Sequence, residues 1–183
     1  MEYKVLYLFV EGPDDERFFR SVIEPLIGER FDFVKYILYA QQSKAIIESL
    51  IKPLNHNQNH RYLFICDMDA RGDATYCVSR RKDKEHTAFG SNILKERIIV
   101  VREEIESWYY AGIVENDLQK MKMKSTSSTE NLTKEDFEKL IPTSFTSKTD
   151  FMIEILKIFS TQTASEQNPS FHYLLRKLES ILK

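Results

Sequence analysis

Five acidic side chains stand where they could do chemistry together. Glu11 follows the apolar run Lys4 to Val10 (KVLYLFV), Asp67 and Asp69 follow Arg61 to Cys66 (RYLFIC), and Glu104 and Glu106 follow Ile98 to Val101 (IIVV). Residues two apart on an extended segment point the same way, so Asp67 and Asp69 can converge while Met68 faces the other side. Carboxylates gathered at one place repel one another unless a cation neutralises them. Oxygen-only ligands favour Mg2+ or Mn2+ over zinc, and such an ion keeps water positions that a phosphate oxygen can take. The chemistry that follows is phosphoryl or phosphodiester transfer. Each piece also has a plainer reading. Asp-x-Asp after an apolar run serves as a turn or cap, and Glu-Gly-Pro as a strand-to-helix turn. The acidic run Asp14-Asp15-Glu16 complements a helix dipole.

The elements that must position these residues follow from the apolar pattern. Lys4 to Val10, Phe33 to Tyr39, Arg61 to Cys66 and Ile98 to Val101 read as buried strands. Pro13 suits the first position of a helix, and Phe18, Phe19, Val22, Ile23 and Leu26 then recur at helical spacing up to Gly28. Ser43 is a cap for a second helix carrying Ile46, Ile47, Leu50 and Ile51, stopped by Pro53. A further helix is expected from about Glu104 to Ala111. Alternating strands and helices imply an α/β fold, a parallel sheet of about four strands with right-handed crossovers. Ligands of such sheets bind outside the carboxyl ends of the strands, which is where the acidic residues fall.

Beyond residue 115 the pattern changes. Lys124 to Thr133 is a polar stretch that reads as a linker or mobile loop, and helices are expected near Lys134 to Leu140, Asp150 to Phe159 and after Pro169. The organisation expected is a core over 1–115 with a helical C-terminal cap, 116–183, packed on it.

Composition narrows the function. The chain has 183 residues, 42% hydrophobic and 30% charged, with 26 Lys and Arg against 28 Asp and Glu. A net charge of −2 excludes a generally basic nucleic-acid coat while allowing a local patch. The five glycines, at 12, 28, 72, 90 and 112, are too scattered for a GxGxxG or P-loop phosphate cradle. Two cysteines, Cys66 and Cys77, make neither a zinc site nor a disulfide framework. The longest apolar run is far short of the roughly 20 residues of a membrane span, and the N-terminus lacks signal-peptide order. A cytoplasmic protein with no membrane partner is expected.

The motifs LFVEGPDDERFF (Leu8 to Phe19) and LFICDMD (Leu63 to Asp69) resemble the glutamate and Asp-x-Asp motifs of the Toprim family, the metal-binding α/β domain of topoisomerases, DnaG-type primases and several nucleases. The resemblance implies a Rossmannoid Toprim-like fold in which Glu11 is the general acid/base and Asp67 and Asp69 hold Mg2+. Within the family the Glu-Gly-x-x-acidic form is similar to OLD-type nucleases, which implies that Asp15 serves a second metal and Lys148 stabilises a developing charge. A surface lysine before a helix is the plainer reading of Lys148. The segment from Glu104 and the C-terminal tail also resemble small stand-alone Toprim-like proteins associated with phage defence. The sequence departs from many members in following Asp-x-Asp with Ala70-Arg71.

The leading expectation is therefore a Mg2+- or Mn2+-dependent nuclease acting on DNA or RNA. Its metal ligands would come from Asp67, Asp69, Asp15, Glu104 and Glu106. Residues 71–102 carry eight basic and four acidic side chains, so Arg71, Arg80, Arg81 and Lys82 could steer a phosphate backbone; a solvated loop is the alternative. Trp108, Tyr109 and Tyr110 read either as a base-stacking platform or as helix packing. Two other functions compete. One is a non-catalytic Toprim scaffold that binds nucleic acid or a partner ATPase supplied in trans. The other is a phosphatase, since Asp-x-Asp after a strand also resembles the haloacid-dehalogenase nucleophile.

Overall fold

A computed structural model describes residues 3–68, 77–123 and 129–181. The chain divides into two compact units, Met1–Val101 with Ile181–Lys183, and Arg102–Ser180. The division falls after Val101, where the sequence reading drew its line at 115, so the aromatic segment at 106–111 belongs to the second unit.

The first unit is built on four parallel strands among the described residues: β1 (Val5–Val10), β2 (Phe33–Leu38), β3 (His60–Asp67) and β4 (Ile98–Val101), in the order β2-β1-β3-β4. Helices flank the sheet, the α/β architecture expected. The near-continuous apolar runs of β1, β3 and β4 are buried, Leu6, Leu8, Phe9, Val10, Leu63, Phe64 and Ile65 all being inaccessible, whereas the edge strand β2 has only exposed and half-buried positions. Pro13 opens helix α1 (Pro13–Phe18), which widens into a π turn over Phe19–Ile23 before α2 (Glu24–Ile27). Pro25 lacks an N–H and its ring crowds the carbonyl four residues back, which is reason for the ladder to widen just ahead of it. The helix stops at Gly28, whose φ of 59° is a conformation that side chains with a Cβ resist.

Helix α3 (Lys44–Leu54) starts at Ser43 as expected, the Ser43 Oγ accepting from the Ile46 N–H. Pro53 sits inside its last turn, so the helix ends one residue beyond the expected stop. Ile47, Ile51 and Leu54 pack over Phe9, Tyr62, Phe64, Cys66, Ile98 and Val100, forming the core on one side of the sheet.

One element was not legible in the sequence. Residues 78–88, expected as a basic loop, form helix α4 (Val78–Ala88). Its buried positions are Arg81 and Glu85, an i,i+4 ion pair at 3.0 Å, so the stripe that normally betrays a helix by its hydrophobicity is here charged.

The second unit is helical: α5 (Glu106–Ala111), α6 (Glu115–Lys120), α7 (Lys134–Leu140), α8 (Lys148–Ile158), α9 (Thr161–Gln167) and α10 (Pro169–Ile181). Side-chain caps hold the starts of α7, α8, α9 and α10. Thr133, Ser147 and Ser160 accept from Asp136, Asp150 and Thr163, and buried Asn168 accepts from the Ser170 and Phe171 N–H groups at the start of α10. The stretch expected as a linker is tied down where it is described. Thr129 and Leu132 are buried, and the Thr129 hydroxyl donates to the Gln167 carbonyl at 2.7 Å; residues 124–128 lie outside the described residues. Among the described residues no helix is long and apolar enough to cross a membrane.

Candidate functional site

Strand order brings the first two acidic motifs together. The chain leaves β1 for β2 on one side and returns to β3 on the other, so β1 and β3 are neighbours across the topological switch point of the sheet. Phe9 pairs with Phe64, so Glu11 and Asp67 follow two and three residues later on adjoining strands, which lie about 4.8 Å apart. Both carboxylates are half-buried. In open α/β sheets this crevice at the carboxyl ends is the ligand-binding position.

Tyr39, just past the end of β2, organises the rim. Its ring stacks on Phe64, 4.5 Å between centroids, and its hydroxyl donates to Glu11 Oε2 at 3.1 Å. Burial, reinforced by the negative charges of Glu11, Asp67 and Glu85, pushes the Tyr39 phenol far up, so the hydroxyl stays protonated and remains a donor. The reading from sequence passed over Tyr39 as a strand residue. The rule that singled out the acidic residues, position immediately after a strand, applies to it equally.

Asp15 is buried at the start of α1, where Oδ2 accepts the Gly12 N–H at 3.1 Å. That contact is half of a capping box, the plainer role allowed for this acidic run.

Arg81 and Glu85 complete the surroundings. Arg81 is 4% exposed, and its guanidinium lies beside the Cys66 thiol as well as Glu85. Burial pushes that thiol up to about 12 against the pull of Arg81, so Cys66 is a neutral, inert side chain at the end of β3. Arg81 thus does not stand on the exposed basic face expected for it: a guanidinium buried against a carboxylate offers nothing to a phosphate backbone at the surface. Arg80 is exposed and Lys82 half-buried on the same helix. Arg71 and Asp69 lie outside the described residues.

Glu104, Glu106 and Lys148 are all in the second unit, and there they engage one another's elements. Glu104 Oε2 accepts the Lys134 N–H at 2.5 Å, satisfying the first turn of α7. Glu106, 4% exposed, pairs with Lys148 Nζ at 2.5 Å. One expected ligand and the expected charge stabiliser are therefore each other's partner. Trp108, Tyr109 and Tyr110 are buried too, Trp108 edge-on to Phe171 with its Nε1 donating to Ser170 Oγ at 2.7 Å. They are core, not a stacking platform.

The residues at the strand ends suit a hard cation in kind. Glu11 and Asp67 offer carboxylate oxygens, and the Cys66 thiol nearby is neutral. Among the described residues no group of three or more His, Cys, Asp or Glu could by itself hold a metal ion. An ion of the Mg2+ type needs only one or two carboxylates, with water completing its shell.

No family model matches the chain, and no curated protein matches it. Among solved structures it is similar to the C-terminal region of the Burkholderia pseudomallei OLD protein, at 14% identity and a TM-score of 0.42, over 100% of this chain and 98% of that one.

Proposed function

We propose that the chain is a Mg2+- or Mn2+-dependent nuclease of Toprim type, hydrolysing phosphodiester bonds of DNA or RNA. The observation that carries this reading is the placement of Glu11 and Asp67 at the carboxyl ends of adjacent parallel strands, flanking the switch point of the sheet. Asp67, with Asp69, would hold the ion, and Asp15 lies on the helix that starts at the same rim. When bound, the ion would polarise the phosphate and steady the leaving oxygen. Glu11 takes the proton from the attacking water as the new P–O bond forms, and the leaving oxygen takes a proton from solvent as the old P–O bond breaks. Tyr39 fixes the Glu11 carboxylate by a hydrogen bond from a group that adds no charge. Arg71, Arg80 and Lys82 would draw the phosphate backbone toward the rim. Glu104, Glu106 and Lys148 are not needed for this chemistry.

The test is nicking of plasmid DNA and cleavage of RNA with Mn2+ or Mg2+. Loss of cleavage in Glu11→Gln and in Asp67→Asn, with folding intact, is expected; full activity in the double variant would end the proposal. A second reading is a scaffold that binds nucleic acid or an ATPase in trans without cutting. Binding with no metal-dependent cleavage would select it.

A further inference from the structure

The end of the first unit's sheet away from the carboxylates has the reverse character. There the strands begin in register, Val5 opposite both Phe33 and His60. Three adjoining hollows open at this edge, of about 580, 380 and 130 Å3. The largest is lined by Tyr3, Tyr7, Phe33, Lys35 and His60. Next to it lie Lys4, Arg30 and Arg61, and beyond them His56 and Arg97. No Asp or Glu lines any of the three. In a chain with more acidic than basic side chains, that segregation is not what composition alone would distribute.

The cations keep their charge for a ligand. Among the described residues none of Lys4, Arg30, Lys35, Arg61 and Arg97 is ion-paired with a carboxylate. Arg61 donates instead to the carbonyls of Asn57, Gln58 and His60. The Asp32 carboxylate at this edge accepts the backbone N–H of Lys4 at 2.7 Å. The aromatic rings are open: Tyr3 is 63% and Phe33 51% exposed, set edge to face at 5.3 Å. Lys35 Nζ sits 5.5 Å over the Tyr7 ring, and His60 lies 5.7 Å from the same ring.

We propose that this edge binds single-stranded nucleic acid, with bases stacked on Tyr3 and Phe33 and phosphates against Lys4, Arg30 and Lys35. Aromatic faces beside unmatched cations are the combination that holds single strands without reading sequence. Every nucleotide of a single strand brings both a charge and a flat ring, an acidic peptide has the charge without a ring at each residue, and a duplex keeps its base faces stacked away. The inference deepens the nuclease reading by naming its substrate class. The six residues of β1 put about 20 Å between this edge and the carboxylate rim, so the bound segment would flank the bond that is cut.

The experiment measures anisotropy of fluorescein-labelled oligothymidylate over a salt series, in EDTA so that cleavage plays no part. The Tyr3→Ala, Phe33→Ala double variant is expected to bind at least tenfold more weakly than the natural chain. Arg30→Gln with Lys35→Gln should lower the salt slope by about 0.7 per phosphate contact removed, the single-strand value. Phe33→Trp should keep the affinity and report the strand by quenching of its fluorescence. Unchanged affinity in both double variants overturns the proposal, as does poly-glutamate binding as tightly as the oligonucleotide, which would give the edge to an acidic protein. Failure of cleavage with this binding intact counts against the nuclease reading alone, and cleavage without it counts against this one alone.

Discussion

In the first unit, the Glu11 carboxylate accepts a hydrogen bond from a neutral phenol at 3.1 Å; in the second, Glu106 is buried against the Lys148 ammonium at 2.5 Å. Both contacts orient a carboxylate. Only the second cancels its charge. A glutamate matched to a lysine holds two helices together and has little attraction left for a cation. A glutamate positioned by a phenol keeps its full negative charge at the rim. The same contrast separates Glu85, matched by Arg81, from Glu11, although the charges of both bear on Tyr39. Spacing along the chain treats all these glutamates alike, and the partner distinguishes them.

The largest expected effect breaks or keeps this comparison directly. Glu11→Gln should lower the rate of metal-dependent cleavage by roughly a hundred- to ten-thousand-fold, whereas Lys148→Met should leave activity per folded molecule within a few fold. If Lys148→Met removes cleavage as completely in a protein that still unfolds cooperatively, the lysine belongs to the chemistry and the contrast is wrong. Next comes stability. Glu106→Gln removes the buried carboxylate from beside Lys148 and should cost about 3 kcal/mol in urea unfolding, while Glu106→Leu combined with Lys148→Met should recover most of it. The packing of the second unit predicts a smaller loss. A Cβ at Gly112 would lie 2.1 Å from the Phe159 ring, so Gly112→Ala should destabilise by about 1–3 kcal/mol, seen as a lowered denaturation midpoint.

Tyr39→Phe sharpens the other side of the contrast. It removes one hydrogen bond to a carboxylate, about 2 kcal/mol of stability, and should lower kcat with KM unchanged if Glu11 is mispositioned. Because burial and nearby carboxylates raise the phenol, deprotonation of Tyr39 should contribute no alkaline fall to the rate below the ordinary tyrosine range. The smallest effect is chemical. At mildly alkaline pH a thiol reagent should label exposed Cys77 and spare Cys66, whose pKa rises from the ordinary 9.0 to about 12, so that thiolate is scarce in the folded state. Labelling of Cys66 at the same rate would mean that the end of β3 opens far more readily than its burial implies.

How far the sequence could be read depended on what each element buries. Strands β1, β3 and β4 bury apolar runs and the edge strand β2 is apolar enough to be read with them, so all four were legible. Helix α4 buries an arginine and a glutamate, and α9, TQTASEQ, buries only Ala164 in a polar segment held by its Ser160 cap, so neither shows an apolar period. At the candidate site, Glu11 and Asp67 were legible from their position after strands. Tyr39 was not, because its role rests on a hydroxyl reaching across from the next strand. Lys148 and Glu106 were read as two separate groups, 42 positions apart in the chain, and no local pattern announces such a pair.

The amino-acid sequence alone determined that apolar strands would end in acidic residues, because strand burial and turn chemistry are local. Which strands lie side by side depends on how the crossovers pass, and whether a buried carboxylate meets a phenol or an ammonium depends on packing between distant segments. Those were decided only by the tertiary structure. They are also what determines where charge is kept and where it is cancelled.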